Sequence, residues 1–175
     1  MEYRKLQTEE IDRQLFKKFQ RHQKVTQCWR KINGEWIVKN VPFIDQWNEE
    51  DYNQLIKCLK NTLKTDGIVY GVFLEDTLKG FVSVENGFIG KNQEYFDLSS
   101  IHVSEDMRGS GIGKKLFQIA AQWAKIHGAK KLYISAHSAV ESQAFYKAMG
   151  CTEALEYNQK HVEKEPCDCQ LEYVL

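Results

Sequence analysis

The sequence predicts an α+β domain, and three observations carry that reading. Apolar residues recur at helical spacing in some stretches and alternate in others. Their order is strand, helix, hairpin, helix, three-strand meander, helix, strand, short helix and two antiparallel strands. A glycine-rich turn, Arg108-Gly109-Ser110-Gly111-Ile112-Gly113-Lys114, lies between the meander and the helix that follows it. Asn33-Gly34 separates two aromatic and β-branched runs and is the strongest two-residue hairpin signal. With 175 residues, 42% of them hydrophobic, the chain can bury one core, and no repeat or linker divides it. Residues 1–175 are expected to form a single domain.

In chain order, residues 3–6 alternate as a first strand, and Thr8 is placed to cap a helix with Ile11, Leu15, Phe16 and Phe19 on its apolar face. Residues 26–39 form the hairpin, with Trp29 facing Trp36 across it and Pro42 ending the region. A helix from about Asn48 buries Tyr52, Leu55, Ile56, Leu59 and Leu63 and stops at Asp66-Gly67. Residues 68–74 and 78–85 make two antiparallel strands, and residues 95–103 a third. Ile112, Leu116, Ile119, Ala120, Trp123 and Ala124 define the helix after the glycine turn, which closes at His127-Gly128. Residues 131–136 are a strand. Ser138-Ala139-Val140-Glu141 has the form of a capping box and opens a short helix through Phe145, Tyr146 and Met149 to Gly150. The tail alternates as two strands, near residues 153–157 and 169–175.

Charge and cysteine usage exclude several classes of function. Twenty-four basic residues balance 24 acidic ones, so no basic stripe for nucleic acid is expected. No apolar run reaches membrane-spanning length, and Met1-Glu2-Tyr3-Arg4 does not open a signal peptide. Five cysteines, an odd number, fit reduced thiols in the cytoplasm better than a disulfide framework. Cys167-Asp168-Cys169 has no second Cys/His pair at zinc-site spacing, and the five histidines form no cluster, so no metal is expected.

The glycine turn carries the chemistry. A strand, a glycine-rich loop and a helix N-terminus together suit a phosphate, because the first helical amides lack internal partners and carry the positive end of the dipole. The spacing is wrong for a Walker loop: Arg108 stands where the first glycine belongs and Lys115 where the magnesium-holding hydroxyl belongs. It is also wrong for a dinucleotide fingerprint, since Gly109, Gly111 and Gly113 are spaced two and two. Arg108, Gly111 and Gly113 instead fit Arg-x-x-Gly-x-Gly, which resembles the acyl-coenzyme A loop of the GNAT superfamily of N-acetyltransferases. Phe145-Tyr146-Lys147-Ala148-Met149-Gly150-Cys151 is similar to the family's Phe-Tyr-x-x-x-Gly-Phe signature, with Cys151 in the last place.

The resemblance implies a central mixed, mostly antiparallel sheet of about six to seven strands flanked by helices, with the N-terminal hairpin as an addition. It implies acetyl-CoA as co-substrate. The pyrophosphate would lie on the amides of Arg108, Gly109, Ser110, Gly111, Ile112 and Gly113, with Lys114 near the phosphates. Ile101, His102 and Val103, on a strand splayed from its neighbour, would hold the pantetheine arm. An amide on that strand would polarise the thioester carbonyl. Tyr146 matches the tyrosine that protonates the departing thiolate. The family often takes its base from the strand before the loop, which makes Asp97 the candidate, with Glu94, Glu85 and His102 as other groups within the same elements. An asparagine frequent early in the short helix is absent here, and Ser138 or Ser142 stands in its place.

The expected reaction is acetyl transfer from acetyl-CoA to the primary amine of a small molecule by direct attack. Two alternatives remain open at this level: acetylation of a protein or peptide amine, and a non-catalytic acyl-CoA-binding regulatory domain. A pocket lined by Trp29, Trp36 and acidic residues such as Glu35 or Asp45 would favour a small cation. A monomer or homodimer is expected, the latter by pairing of exposed terminal strands, with neither nucleic acid nor membrane as partner.

Overall fold

The computed structural model describes residues Met1–Leu175. It contains β1 (Glu2–Lys5), β2 (His22–Ile32), β3 (Glu35–Gln46), α1 (Glu49–Lys64), β4 (Ile68–Leu74), β5 (Thr77–Val84), β6 (Tyr95–Asp97) and β7 (Ser100–Val103). These are followed by α2 (Ile112–Ile126), β8 (Lys131–Ala136), α3 (Val140–Met149), β9 (Thr152–Glu153), α4 (Gln159–Lys164) and β10 (Cys169–Val174). The strands form a four-stranded sheet β1-β4-β5-β7, a second four-stranded sheet β6-β8-β10-β9, and the separate hairpin β2-β3. Every pairing is antiparallel except β6 with β8.

One stretch of chain belongs to both large sheets. Residues 95–103 do not make a single strand, as their composition suggests: Tyr95–Asp97 run parallel to β8, and Ser100–Val103 run antiparallel to β5. Between them, Leu98 donates to the Tyr133 carbonyl at 2.9 Å and Ser99 to the Ser83 carbonyl at 3.1 Å, so the backbone crosses from one sheet to the other. Beyond this crossing β7 and β8 diverge. The edge of β8 at Ile134 to Ala136 has no neighbour on that side, and neither has the outer edge of β7.

The core follows from apolar burial on both faces. α2 lays Ile112, Leu116, Phe117, Ala120 and Ala124 against Val72, Val82, Val84, Phe96, Leu132 and Ile134. α1 packs Tyr52, Leu55 and Leu59 with Val69, Phe73 and Phe81 on the other side. α1 has the N-cap that its sequence announces: Asn48 accepts from Asp51 N at 3.0 Å while Asp51 accepts from Asn48 N at 2.8 Å.

Five further expectations are corrected. The helix after Thr8 is a short 3-10 turn at Thr8–Glu10 followed by further turns. Asp12 Oδ1 accepts from Leu15 N, and the amides of Lys17 and Phe19 bond three residues back. Ile11, Phe16 and Phe19 are buried all the same. Burial of each such side chain contributes roughly 1.5–3 kcal/mol, against a helix preference of at most about 0.7 kcal/mol per residue, so packing decides the path. The hairpin is longer than expected, and β3 continues through Pro42 because the register slips between Val25 and Gln27, a bulge in which a residue without N–H is tolerated. Within it Trp29 pairs with Val38 and Trp36 with Lys31, so the two indoles do not face each other.

At the short helix the capping box does not form: Ala139 is the N-cap, and Ser138 Oγ accepts instead from Arg30 of the hairpin at 2.7 Å. In the tail, the first strand is only Thr152–Glu153, and the chain then turns into α4. No helix is long and apolar enough to cross a membrane, and no group of three or more His, Cys, Asp or Glu side chains is placed to hold a metal ion.

Candidate active site

The divergence of β7 from β8 opens a cavity of about 1080 Å³. Its walls come from the base of the hairpin (Arg21, Lys24, Asp45, Trp47), from β7 and the glycine loop, from α3 (Glu141, Ser142, Phe145, Tyr146, Met149), and from α4 with the segment after it (His161, Lys164, Glu165, Asp168). The hairpin reaches this position by pairing onto the chain just before α3: Trp29 N donates to the Ser138 carbonyl at 2.8 Å, and Cys28 bridges to Ala139. Its tip is tied to the other end of the chain, where Glu153 accepts from Trp36 Nε1 at 3.1 Å and from Lys31 Nζ.

The loop leaves a run of backbone amides free. Arg108 N bonds to Glu105 and Lys115 N bonds to Gly111, but the consecutive amides of Gly109, Ser110, Gly111, Ile112, Gly113 and Lys114 have no acceptor within the chain. Gly111 is the N-cap of α2, with φ at 84°, a left-handed conformation that side chains with a Cβ avoid. Nothing lies within 4 Å of where its Cβ would be, so the face of the loop is open. Gly113 is needed for a different reason: a Cβ there would meet the Phe145 ring at 3.2 Å. The two sequence motifs are thereby packed on each other, loop against α3.

The arm of the cavity along β7 follows from register. Ser104 N donates to the Lys79 carbonyl at 2.9 Å, so by antiparallel alternation His102 is the next residue bonded to β5. Ile101 and Val103 then direct their amides and carbonyls away from β5, toward the opening. Val103 O already accepts from Arg108 Nε at 3.4 Å. His102 differs from its two neighbours: its backbone faces Phe81, and its ring packs against Trp47 at 4.7 Å and Phe81 at 5.3 Å. Burial, with repulsion from Arg21 and Arg108, pushes the imidazole down to about 3, so it is neutral.

Tyr146 lines the cavity from α3, and its hydroxyl makes no hydrogen bond within the chain. Burial pushes the phenol up from its ordinary value, with Cys151 and Asp168 adding to the shift, so it holds its proton. Cys151, where the family signature has Phe, is buried in the main core and its thiol is pushed up to about 12 by burial. It serves as a small apolar residue there.

The carboxylates from the sequence reading have other attachments. Glu85 accepts from Thr62 at 2.6 Å and from Ser99 at 2.8 Å, and Glu94 pairs with Lys131 at 3.4 Å. Asp97 does not line the cavity; its Oδ2 lies 2.7 Å from Nε2 of His161, which does. The bond to Asp97 raises the His161 pKa, against an opposing effect of burial. His161 is the residue that sequence reasoning missed. The available signal was Asn158 ahead of Gln159-Lys160-His161-Val162-Glu163-Lys164, an N-cap followed by good helix formers. Of the hairpin residues named from sequence, Asp45 lines the cavity while Trp29, Glu35 and Trp36 do not, and Trp47 is the aromatic wall.

Comparison with known proteins agrees with this geometry. No curated protein matches the chain. A Bacillus anthracis protein assigned as a streptothricin acetyltransferase, solved with acetyl coenzyme A, superposes with a TM-score of 0.69 at 21% identity, covering 99% of this chain and 96% of the other. A nourseothricin acetyltransferase gives a TM-score of 0.66 at 18% identity, covering 98% and 95%. The PaiA N-acetyltransferase of Thermoplasma acidophilum, solved with coenzyme A, gives 0.60 at 17%, covering 99% and 98%. At such identities the likeness is one of fold. The sequence model of the acetyltransferase (GNAT) family matches residues 22–151, from the first residue of the hairpin to the Cys151 that ends the second motif, and the chain belongs to that family.

Proposed function

We propose that the protein transfers the acetyl group of acetyl-CoA to the primary amine of a small molecule, by direct attack of the amine. The observation that carries this is the run of unpartnered amides from Gly109 to Lys114, at one end of a cavity whose other walls hold the Tyr146 hydroxyl and the His161 ring. Acetyl-CoA fits the residues present: the loop amides, Arg108 and Lys114 suit its pyrophosphate, and the outward groups of Ile101 and Val103 suit an extended amide-containing arm. When bound, it supplies the acetyl group as a thioester. Tyr146 donates a proton to the departing sulfur. The hairpin base and the C-terminal segment both contribute walls to the cavity, with Trp47 and the acidic Asp45 and Asp168 among them, a lining that favours a small cationic acceptor. The structural neighbours named for streptothricin and nourseothricin point the same way. All five cysteines are free thiols, which suits a cytoplasmic enzyme.

The test is thiol release from acetyl-CoA with a panel of small primary amines and short peptides. Release with a small-amine class and none with peptides is the expected result. Release with peptides alone would replace the small acceptor by a peptide. No release with any acceptor, together with tight coenzyme A binding, would leave a binding domain without transfer.

A further inference from the structure

His161 and Asp97 are brought together by three independent contacts. Asn158 fixes the start of α4: its side chain accepts from the amides of Lys160 and His161, and its own amide donates to the Tyr133 hydroxyl at 2.8 Å. The His161 ring then lies on the Tyr133 ring, with centroids 5.6 Å apart and planes 22° from parallel. Tyr133 and Asp97 are register partners in the β6–β8 ladder, so the residue that carries the imidazole sits beside the residue that bonds it.

The two ends of the pair face different surroundings. Asp97 Oδ1 is buried without a partner, and its side chain is 15% exposed. His161 is 27% exposed and lines the cavity. In the neutral ring Nε2–H donates to Asp97, which leaves the Nδ1 lone pair free. Nδ1 has no partner in the chain and is not enclosed: the buried side-chain nitrogens and oxygens without partners are Arg21 Nε, Arg21 Nη1 and Asp97 Oδ1. A carboxylate that fixes the tautomer and orientation of an accessible imidazole is the arrangement a proton acceptor needs.

We infer that His161 is the general base that takes a proton from the acceptor amine, with Asp97 as its positioning residue; this rests on the transfer reading above. An amine arrives as an ammonium at neutral pH and has no lone pair. One of its protons passes to Nδ1 and from there to water. The freed lone pair forms the C–N bond as the C–S bond breaks. The sulfur takes the proton of Tyr146, and the second proton lost by the nitrogen as the amide forms restores the phenol. Coenzyme A leaves as the thiol.

The groups that face His161 are Asp97 from β6, Tyr133 from β8, Lys164 and Glu165 from the end of α4, and Asp168 from the segment after it, while His137 lines the same cavity. Asp97 raises its pKa above the ordinary 6.5, Lys164 opposes and Asp168 assists. The base is active when deprotonated, so transfer rises with pH through the His161 pKa. The experiment combines histidine NMR titration with pH profiles of thiol release for wild type, His161→Gln and Asp97→Asn. The expected results are a fall in kcat/KM of about a hundredfold or more in His161→Gln, with unchanged coenzyme A affinity. In Asp97→Asn the titration of His161 and the acid limb of the profile should move together to lower pH. An active wild type whose profile is matched by His161→Gln overturns the base role and leaves the transfer reading standing. A His161 signal that titrates identically with and without Asp97 overturns the positioning role by a readout independent of activity. A wild type that releases no thiol with any amine overturns the transfer reading and the base role together.

Discussion

One side of the cavity is made from neighbours in sequence, and the other from the two ends of the chain. On the loop side, β7, the glycine turn and α2 follow one another directly, and α3 locks onto them where Phe145 meets Gly113. On the acceptor side, the hairpin and the C-terminal segments are held by contacts distant in sequence, such as Arg30 with Ser138, Trp36 with Glu153 and His161 with Asp97. The difference teaches where function is written. Binding an invariant group such as a pyrophosphate needs backbone amides in one conformation, which a few glycines specify locally. Accepting one amine among many needs side chains on variable segments, which only tertiary structure gathers.

Separating the two sides is the way to sharpen this contrast. The largest effect is expected from Gly111→Val, which forces a β-branched residue to φ near 84° and disturbs the amide run. Coenzyme A affinity by calorimetry should weaken on the order of a hundredfold, about 3 kcal/mol, and the strained residue should also lower the stability of the fold by about 1–2 kcal/mol. Tyr146→Phe comes next: thiol release should fall at least about tenfold, or ~1.4 kcal/mol, with coenzyme A affinity unchanged. Release that is unaffected would remove Tyr146 from the proton path while leaving the loop assignment intact.

On the acceptor side, Trp36→Ala removes one of the two bonds that tie the hairpin tip to Glu153 and leaves that of Lys31. KM for the amine should rise by roughly threefold, an effect of under about 1 kcal/mol, while KM for acetyl-CoA stays constant. A change in the cofactor KM instead would break the division between the sides. The smallest effect is one of pH. Hydrogen bonds from Lys31, Tyr157 and Trp36 hold Glu153 down to about 2, below its ordinary 4.5. Its contribution to docking the hairpin is therefore present above pH 4.5 and is lost as pH falls toward 2. Fluorescence of Trp36, isolated by difference from Trp36→Phe, should report loosening in that window and none between pH 5 and 7.

The same contrast explains what could be read from the sequence. The glycine loop, α2, the β4–β5 meander and the Asn33-Gly34 turn are local statements, in which a residue type answers a backbone need within a few positions. The stretch from Ile11 to Phe19 has helical spacing but folds as successive turns, because Ile11, Phe16 and Phe19 are drawn into the core under α1. Residues 95–103 read as one strand because nothing local reveals that two sheets compete for them. α4 was hidden by its polarity: it buries no residue, and its position comes from Tyr133 and Asp97, far away in sequence. Asp97 is the base expected from the sequence, but His161, which is bonded to it and lines the cavity, could be seen only after folding.

The most direct measurement is a calorimetric titration of coenzyme A into wild type, Gly111→Val, Tyr146→Phe and His161→Gln. Tight binding should survive both changes outside the loop and weaken on the order of a hundredfold in Gly111→Val alone. Undiminished binding by Gly111→Val would contradict this, because the amides of Gly109 to Lys114 would then not be the seat of the pyrophosphate.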